Sequence, residues 1–301
     1  MSPVLRGTFW MAMCMLSFAG VALSVRALSS HLPIVEIVLF RAAFGVAVSL
    51  PWLWRTGIGG LKTTCLSLHF GRSVVNGLGM FCWFTALGMM AIGDVLALQF
   101  TSPLFMVLLG AFALGEAVGH RRWIATAIGF GGALIIIRPG FAEVGTGVVF
   151  VLAAAVLYAG NHAMTKPLAR KDSGGAIVFY MNAIHLPVFA VLAPNVWVDP
   201  VMGDAGWVLL LGICGATAHI FLARALRLAD LSTLALVDFL KLPVAAGAGY
   251  FLFGDRSDLW TWAGAMVIFG AGYYNILHER ARERTQEREQ ASVQAEGGGI
   301  P

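Results

Sequence analysis

The residues best suited to chemistry are a few charged side chains inside long apolar runs. Arg41 stands in the run VLFRAAFG, and Asp238 and Lys241 stand three residues apart in another run. One charge at the centre of a membrane helix costs roughly 2.5–3.5 kcal/mol, so each needs a partner or a function. Asp238 and Lys241 share one helix face, because residues three apart are neighbours there. Pro243, just beyond, is expected to break or bend that helix, since proline removes an intrahelical hydrogen bond.

Each of these charges has two interpretations. Arg41 can bind a carboxylate or phosphate of a solute with its planar guanidinium, or it can join helices by bonding carbonyls or Glu36, five residues earlier. Asp238 and Lys241 can form a local ion pair or line a cavity. In a cavity, Lys241 would bind an anionic group, and Asp238 a cationic group or a proton. The spacing does not choose between these interpretations.

Uncharged polar and aromatic residues in other apolar runs extend the candidate interior, although each can instead serve interhelical packing. Asp238, Glu36 and His219 are the candidates for proton coupling, because a carboxyl in an apolar site or an imidazole can exchange a proton near neutral pH. No spacing of His and Cys indicates a metal site, and no cofactor is expected. The candidate substrate-binding residues are Arg41, Asp238, Lys241, Gln99, Asn76, Trp83, Asn161 and Tyr158.

The composition of the chain requires a lipid bilayer as solvent. Of 301 residues, 58% are hydrophobic and only 12% are charged, with a mean hydropathy of +0.80. A soluble domain is about 45–50% apolar and about 25% charged, so no water-soluble fold of this length could hide this apolar surface. The expected fold class is an all-α integral membrane protein. Its expected partners are the bilayer and a small-molecule solute, not nucleic acid, and it is expected to be a monomer or a homodimer.

Hydropathy divides the chain into ten apolar spans, near the roughly 20 residues that cross a bilayer. Fifteen Lys and Arg residues fall on one side of these spans and three on the other, with Arg72, the first residue of the third span, counted among the fifteen. The positive-inside rule then places both termini in the cytoplasm of a bacterium, with the protein in its inner membrane. The expected spans are 7–26, 33–54, 72–91, 94–114, 121–138, 146–166, 174–193, 205–225, 230–252 and 258–277.

The second half of the chain repeats the first. Gly115 aligns with Gly254 at an offset of 139 residues, and Pro103 aligns with Pro243 at an offset of 140. Because five spans is an odd number, the second unit enters the membrane inverted, a recurring plan of secondary transporters with the solute site between the halves. The chain is thus expected to comprise a first five-helix unit at 1–138, a second at 139–278, and a charged, disordered cytoplasmic tail at 279–301.

Four stretches resemble the drug/metabolite transporter superfamily, in its ten-helix branch of paired EamA-type domains. The resemblance covers nearly the whole chain and implies the fold and alternating-access transport, but not the substrate. Two departures make the halves chemically unequal: the second unit ends in Gly-Asp rather than Gly-Glu, and Met181 stands at the counterpart of Arg41. The stretches are VLFRAAFG, ALGMMAIGDVLALQFTSPLFMVLLGAFALGE from Ala86, GFGGALIIIRPG from Gly129, and ALRLADLSTLALVDFLKLPVAAGAGYFLFGD from Ala225.

The expected function is a secondary transporter of a small organic metabolite. The chain has no GxxxxGK[ST] phosphate loop, so the energy must come from a gradient or from exchange. Export of an amino-acid-like or other zwitterionic or amphiphilic solute is the first expectation, and uptake of riboflavin, S-adenosylmethionine or a similar cofactor-like solute is the alternative. An intramembrane enzyme or a channel is a remote alternative, because no GxSxG or HExxH motif and no paired-aspartate arrangement is present.

Overall fold

The computed structural model is built from helices throughout the part of the chain that it describes. Those residues are 3–113, 115, 119–140, 144–169, 171–226, 228, 234, 237–274 and 277. The helices are α1 Pro3–Leu28, α2 Ile34–Thr56, α3 Leu66–Met89, α4 Ile92–Gln99, α5 Ser102–Ala113, α6 His120–Ile137, α7 Thr146–Ala169, α8 Gly174–Leu192, α9 Asp204–Leu226, α10 Lys241–Phe253 and α11 over residues 259–274.

Helices lie where hydropathy places the apolar spans, and six of the described segments are long and apolar enough to cross a bilayer. The expected tail at 279–301 and the start of the expected ninth span lie outside the described residues. The six segments are Leu5–Leu28, Ile34–Thr56, Ile92–Phe112, Thr146–Ala169, Gly174–Asn195 and Asp204–Leu222.

The third helix begins earlier than expected, which moves one arginine into the interior. Helix α3 starts at Leu66, six residues before the expected span, and Arg72 within it is only 6% exposed. Arg72, counted among the cations of one membrane side as the first residue of the third span, therefore lies in the interior, and the Lys and Arg bias becomes fourteen to three. Hydropathy did not predict residues 66–71 as part of the third helix, because His69 and Arg72 are polar residue types, although both are buried.

Two spans are interrupted at their centres. Helix α4 ends at Gln99 and α5 begins at Ser102, while α10 begins at Lys241 after a break in its own span. Pro103 and Pro243 fall in the first turn of the following half-helix. Backbone N–H groups in the first turn have no partner within the helix, so the N–H that proline lacks costs no hydrogen bond there. The interruption near Pro243 was expected from the sequence, whereas the one near Pro103 was not.

Helices from the first half of the chain pack mainly on helices from the second half. Helix α1 packs along α9, α3 along α7, and α2 along α8. Glycine permits the closest approaches: a Cβ added at Gly20 of α1 would lie 2.6 Å from the Sγ of Cys214 on α9. The interior therefore lies between the two halves.

The repeat-related glycines share one backbone conformation. Gly115 follows α5 with a φ of 65°, and Gly254 follows α10 with a φ of 71°. This left-handed region suits glycine, because it has no Cβ to clash with the backbone. At the second of these ends, the Gly254 N–H donates to the Tyr250 carbonyl at 3.0 Å, which caps the helix.

The contact between α6 and α11 predicts that alanine substitutions at two neighbouring glycines change the stability of the protein unequally. A Cβ at Gly132 would lie 2.8 Å from the Gly264 carbonyl, whereas a Cβ at Gly131 meets nothing within 4 Å. We expect Gly132→Ala to lower the free energy of unfolding by about 1–3 kcal/mol through overpacking. Gly131→Ala is the matched control and should be neutral or slightly stabilising. Thermal unfolding in detergent measures both, and equal midpoints would contradict the packing.

Candidate functional site

Arg41 lies in the interior between α2, α3 and α9. Its Nη1 is 3.0 Å from the Met80 Sδ on α3, and its side chain lies against Gly215 of α9, where a Cβ would come within 3.2 Å of Nε. Tyr158 of α7 lies near enough to interact with it electrostatically. Among the described residues, no carboxylate pairs with Arg41. A thioether is a weak acceptor, so the guanidinium has donors to offer a ligand.

Glu36, which the sequence offered as a partner for Arg41 or as a proton carrier, is engaged elsewhere. It is fully buried in the first turn of α2, and its Oε1 accepts the Val198 N–H at 2.6 Å. Its Oε2 has no partner among the described residues. The Glu36 carboxylate therefore ties α2 to the segment before α9 and leaves the Arg41 charge uncompensated.

Asp238 and Lys241 form the local ion pair that was one of their two expected arrangements. The Lys241 Nζ donates to the Asp238 Oδ2 at 2.7 Å and lies 4.7 Å from the centre of the Phe100 ring. Phe100 stands at the break between α4 and α5, so the two interrupted spans meet at this point. His219, the remaining proton-coupling candidate, is half-buried with its ring edge-on to Phe18 at 6.1 Å.

Three of the expected site residues carry buried polar atoms that have no partner within the described chain. These atoms are the Trp83 Nε1, the Gln99 Oε1 and the Asn161 Oδ1. A buried polar atom left unpaired costs about 1–3 kcal/mol, so such atoms commonly bind water or a ligand. Asn76 and Tyr158 are half-buried on α3 and α7, the helix pair that also carries Trp83 and Asn161.

Arg72 is the interior residue that the sequence did not identify. Its Nε donates to the Thr165 Oγ1 at 2.7 Å, its Nη1 donates to the Ile177 carbonyl at 3.4 Å, and its Nη2 lies 4.0 Å from the Met181 Sδ. No carboxylate in the described ranges pairs with Arg72 either. Within the described ranges, the interior therefore contains two guanidiniums that pair with no carboxylate.

Polar contacts tie the two halves together at one end of the bundle. The Arg26 Nη2 pairs with the Asp255 Oδ1 at 2.8 Å, and Arg138 pairs with Asp258. The Arg26 Nη1 also donates to the Gly88 carbonyl at the end of α3, at 2.9 Å. These arginines are two of the three cations on the side that is poor in Lys and Arg.

A second set of contacts ties the halves at the other end, where Lys and Arg are frequent. The Asp172 Oδ2 accepts from the Thr63 Oγ1 and from the His69 Nε2, each at 2.7 Å. Burial alone would raise the pKa of the Asp172 carboxyl, but these hydrogen bonds and the neighbouring charges of His69 and Lys171 outweigh it, so the pKa lies below its usual value. Asp172 is therefore ionised at neutral pH and joins the two halves at this end.

A groove of about 270 Å³ between α6 and α11 is separate from this interior. Its walls contain none of the expected substrate-binding residues, so we do not assign it to the site. The residues that line it are Arg121, Ile124, Ala125, Ile128, Gly270, Ala271 and Tyr274. Across the described residues no group of three His, Cys, Asp or Glu side chains could hold a metal ion.

A multi-pass helical bundle with interrupted spans around a polar interior defines a membrane transporter. The model of the EamA-like transporter family matches the chain twice, over residues 5–138 and 145–276. The chain belongs to this family. A solved crystal structure has the same fold, with a TM-score of 0.61 and 19% identity over 89% of this chain and 96% of that chain.

The chain is similar to curated transporters of different solutes. It is 31% identical to a riboflavin transporter of Rhizobium johnstonii, over 92% of this chain and 93% of that protein. It is 27% identical to an S-adenosylmethionine uptake transporter of Rickettsia bellii, over 91% and 94% of the two chains. It is also 27% identical to a pseudopaline exporter of Pseudomonas aeruginosa, over 81% and 86%. The protein is thus a transporter of a small solute.

The contact of Asp172 with Thr63 and His69 predicts a pH-dependent stability. Asp172→Asn should lower the free energy of unfolding at pH 7 by about 1.5–3 kcal/mol, the value of hydrogen bonds to a charged group. Because the folded pKa is lowered from an unfolded value of about 3.9, this stabilisation is complete above pH 4–5 and is lost as pH falls through the folded pKa. Wild type and variant should therefore converge only in strong acid.

Thermal unfolding of the detergent-solubilised protein between pH 3 and pH 7 measures this difference. Asp199→Asn is the matched control, since Asp199 is exposed and an asparagine oxygen can still accept the hydrogen bond from the Trp197 Nε1. An Asp172→Asn variant as stable as wild type at pH 7 would contradict the assignment.

Proposed function

We propose that the protein takes up a flat, uncharged, acceptor-rich solute of the riboflavin class across the bacterial inner membrane. The observation that carries this proposal is the pair of interior guanidiniums, Arg41 and Arg72, without a carboxylate partner among the described residues. A guanidinium with unused donors favours a ligand with carbonyl, carboxylate or phosphate oxygens. This departs from the first expectation of zwitterion export.

The charges of the interior argue against a cationic solute. S-adenosylmethionine carries a positive sulfonium, and an amino-acid-like solute carries an ammonium, so either needs a nearby carboxylate. Asp238, which was the candidate for that role, is paired with Lys241. Glu36 bonds the backbone of Val198 instead. Two guanidiniums would repel such a solute in a low-dielectric interior.

The remaining polar and aromatic groups suit a flavin ring. The imide edge of the isoalloxazine presents carbonyl oxygens, which accept hydrogen bonds from a guanidinium. Arg41 supplies a positive charge in the proposal, and Tyr158 lies near enough to interact with it electrostatically. Trp83 adds an aromatic face and an unpaired buried Nε1 that can donate to the solute. Ligand sites of this kind are largely apolar and aromatic with a few placed polar groups.

The proposed mechanism is alternating access between two inverted five-helix units, with ten spans and both termini in the cytoplasm. The pairing of helices supports it: exchanging the two units converts the α1–α9 contact into the α7–α3 contact and leaves α2–α8 unchanged. Oppositely facing states of similar energy follow from this symmetry. Each state must open one of the two sets of end contacts, either Arg26 with Asp255 or Asp172 with Thr63 and His69.

Uptake of riboflavin by a riboflavin auxotroph that expresses the protein tests this proposal. Wild type should support uptake at low external riboflavin, and Arg41→Gln should reduce the uptake rate at least tenfold, because it loses a charge-assisted hydrogen bond. Arg55→Gln is the control, since Arg55 is exposed at the end of the same helix. Membrane levels of each variant are matched with a fluorescent reporter.

Two results would contradict the proposal in different ways. No riboflavin uptake by wild type, or efflux from riboflavin-loaded vesicles without uptake, would refute the solute or the direction. Uptake by Arg41→Gln at the wild-type rate would refute the role of Arg41 while leaving the solute in place.

A further inference from the structure

We infer that Arg72, Ser73, Asn161 and His185 form a second subsite, which binds the hydroxyl-bearing tail of the solute while Arg41 binds its ring. The inference deepens the proposed function and rests on it. Arg72 and Ser73 lie on α3, Asn161 on α7 and His185 on α8. The four therefore lie where helices of the two family-model matches meet, and transporters of inverted-repeat design bind their solutes between such halves.

All four side chains are buried, and three have a polar atom without a partner. Arg72 and Asn161 are each 6% exposed, His185 is 2% exposed and Ser73 is fully buried. The Ser73 Oγ, the Asn161 Oδ1 and the His185 Nδ1 make no hydrogen bond with any described residue. Buried polar atoms are normally satisfied, so three unsatisfied atoms on helices that pack on one another indicate an absent ligand or water.

The cluster matches hydroxyl groups better than an anion. The His185 Nε2 lies 2.8 Å from the Ser73 carbonyl and so carries the proton, which leaves Nδ1 as an acceptor. The Asn161 Oδ1 is a second acceptor, and the Ser73 hydroxyl can both donate and accept. A carboxylate or phosphate needs donors alone, whereas a polyol both donates and accepts. Arg72 already spends donors on Thr165 and Ile177, which weakens it as an anion site.

The spacing along α3 places this cluster in line with Arg41. Ser73 and Met80 are seven residues apart, which puts them on one face of the helix at roughly 10 Å along its axis. Met80 contacts the Arg41 guanidinium, and at Gly77, between Ser73 and Met80, the His185 ring packs on the same face, where an added Cβ would lie 3.1 Å from its Nε2. A separation of roughly 10 Å along the helix suits an elongated solute that has a flat ring at one end and a polyol tail at the other.

Binding of two flavins to the purified protein tests the subsite. Riboflavin carries the five-carbon polyol tail, and lumiflavin has the same ring with a methyl group in its place. Ser73→Ala removes a hydroxyl that has no partner in the described chain, so the fold should be unaffected. We expect the riboflavin Kd to rise about three- to tenfold, the value of one hydrogen bond, and the lumiflavin Kd to stay unchanged.

The control is Ser24→Ala, because Ser24 is equally buried but its Oγ bonds the Gly20 carbonyl of its own helix at 2.8 Å. This variant should leave both flavin affinities unchanged. Asn161→Leu should repeat the selective loss of riboflavin affinity through a second helix, which keeps the test independent of Ser73.

The outcomes separate the subsite from the proposed function. An equal loss of affinity for riboflavin and lumiflavin in the variants would overturn the subsite. Unchanged riboflavin affinity in both Ser73→Ala and Asn161→Leu would also overturn it, and in either case the riboflavin assignment stands. A wild-type protein that binds neither flavin would overturn the proposed function, and the subsite with it.

Discussion

A guanidinium without a counter-ion is expensive in an apolar interior, and the whole arrangement depends on how the protein keeps Arg41 in that state. The side chain has a thioether and a glycine backbone as its neighbours on α3 and α9, rather than a carboxylate. Insertion of such a charge costs roughly 2.5–3.5 kcal/mol, which packing elsewhere must offset. The cost is consistent with a group reserved for a solute.

Other charged residues of the bundle differ from Arg41 because they form ion pairs. Lys241 is paired with Asp238 at the break before α10, and Arg26 is paired with Asp255 at one end of the bundle. These pairs join elements that must hold together in at least one state. Paired charges thus serve the structure, and in our proposal the guanidiniums that pair with no described carboxylate mark the path of the solute. The interrupted spans add polar backbone to the interior. A membrane protein tolerates such backbone only where it is buried in protein or lines a water-filled cavity.

Much of the fold followed from the sequence, because apolar spans and their breaking prolines depend on local residue types. Trp83, Gln99 and Asn161 were identified as intramembrane polar residues from the sequence, and each has a buried polar atom that no described residue pairs with; their contact with the solute stays a prediction. Two features were not predictable. The Asp238–Lys241 pair depends on side-chain rotamers that spacing does not determine. Arg72 required the true start of α3, which the polar character of its first turns concealed.

The central claim is that the Arg41 charge is left free for the solute, and an internal counter-ion at Met80 tests it most directly. Met80 is buried and its Sδ lies 3.0 Å from the Arg41 Nη1, so Met80→Glu would place a carboxylate against the guanidinium. The account predicts that Met80→Glu inserts and unfolds at or above the wild-type temperature but loses riboflavin uptake, while Met80→Gln retains most of it. Uptake by Met80→Glu equal to that of Met80→Gln would contradict the account.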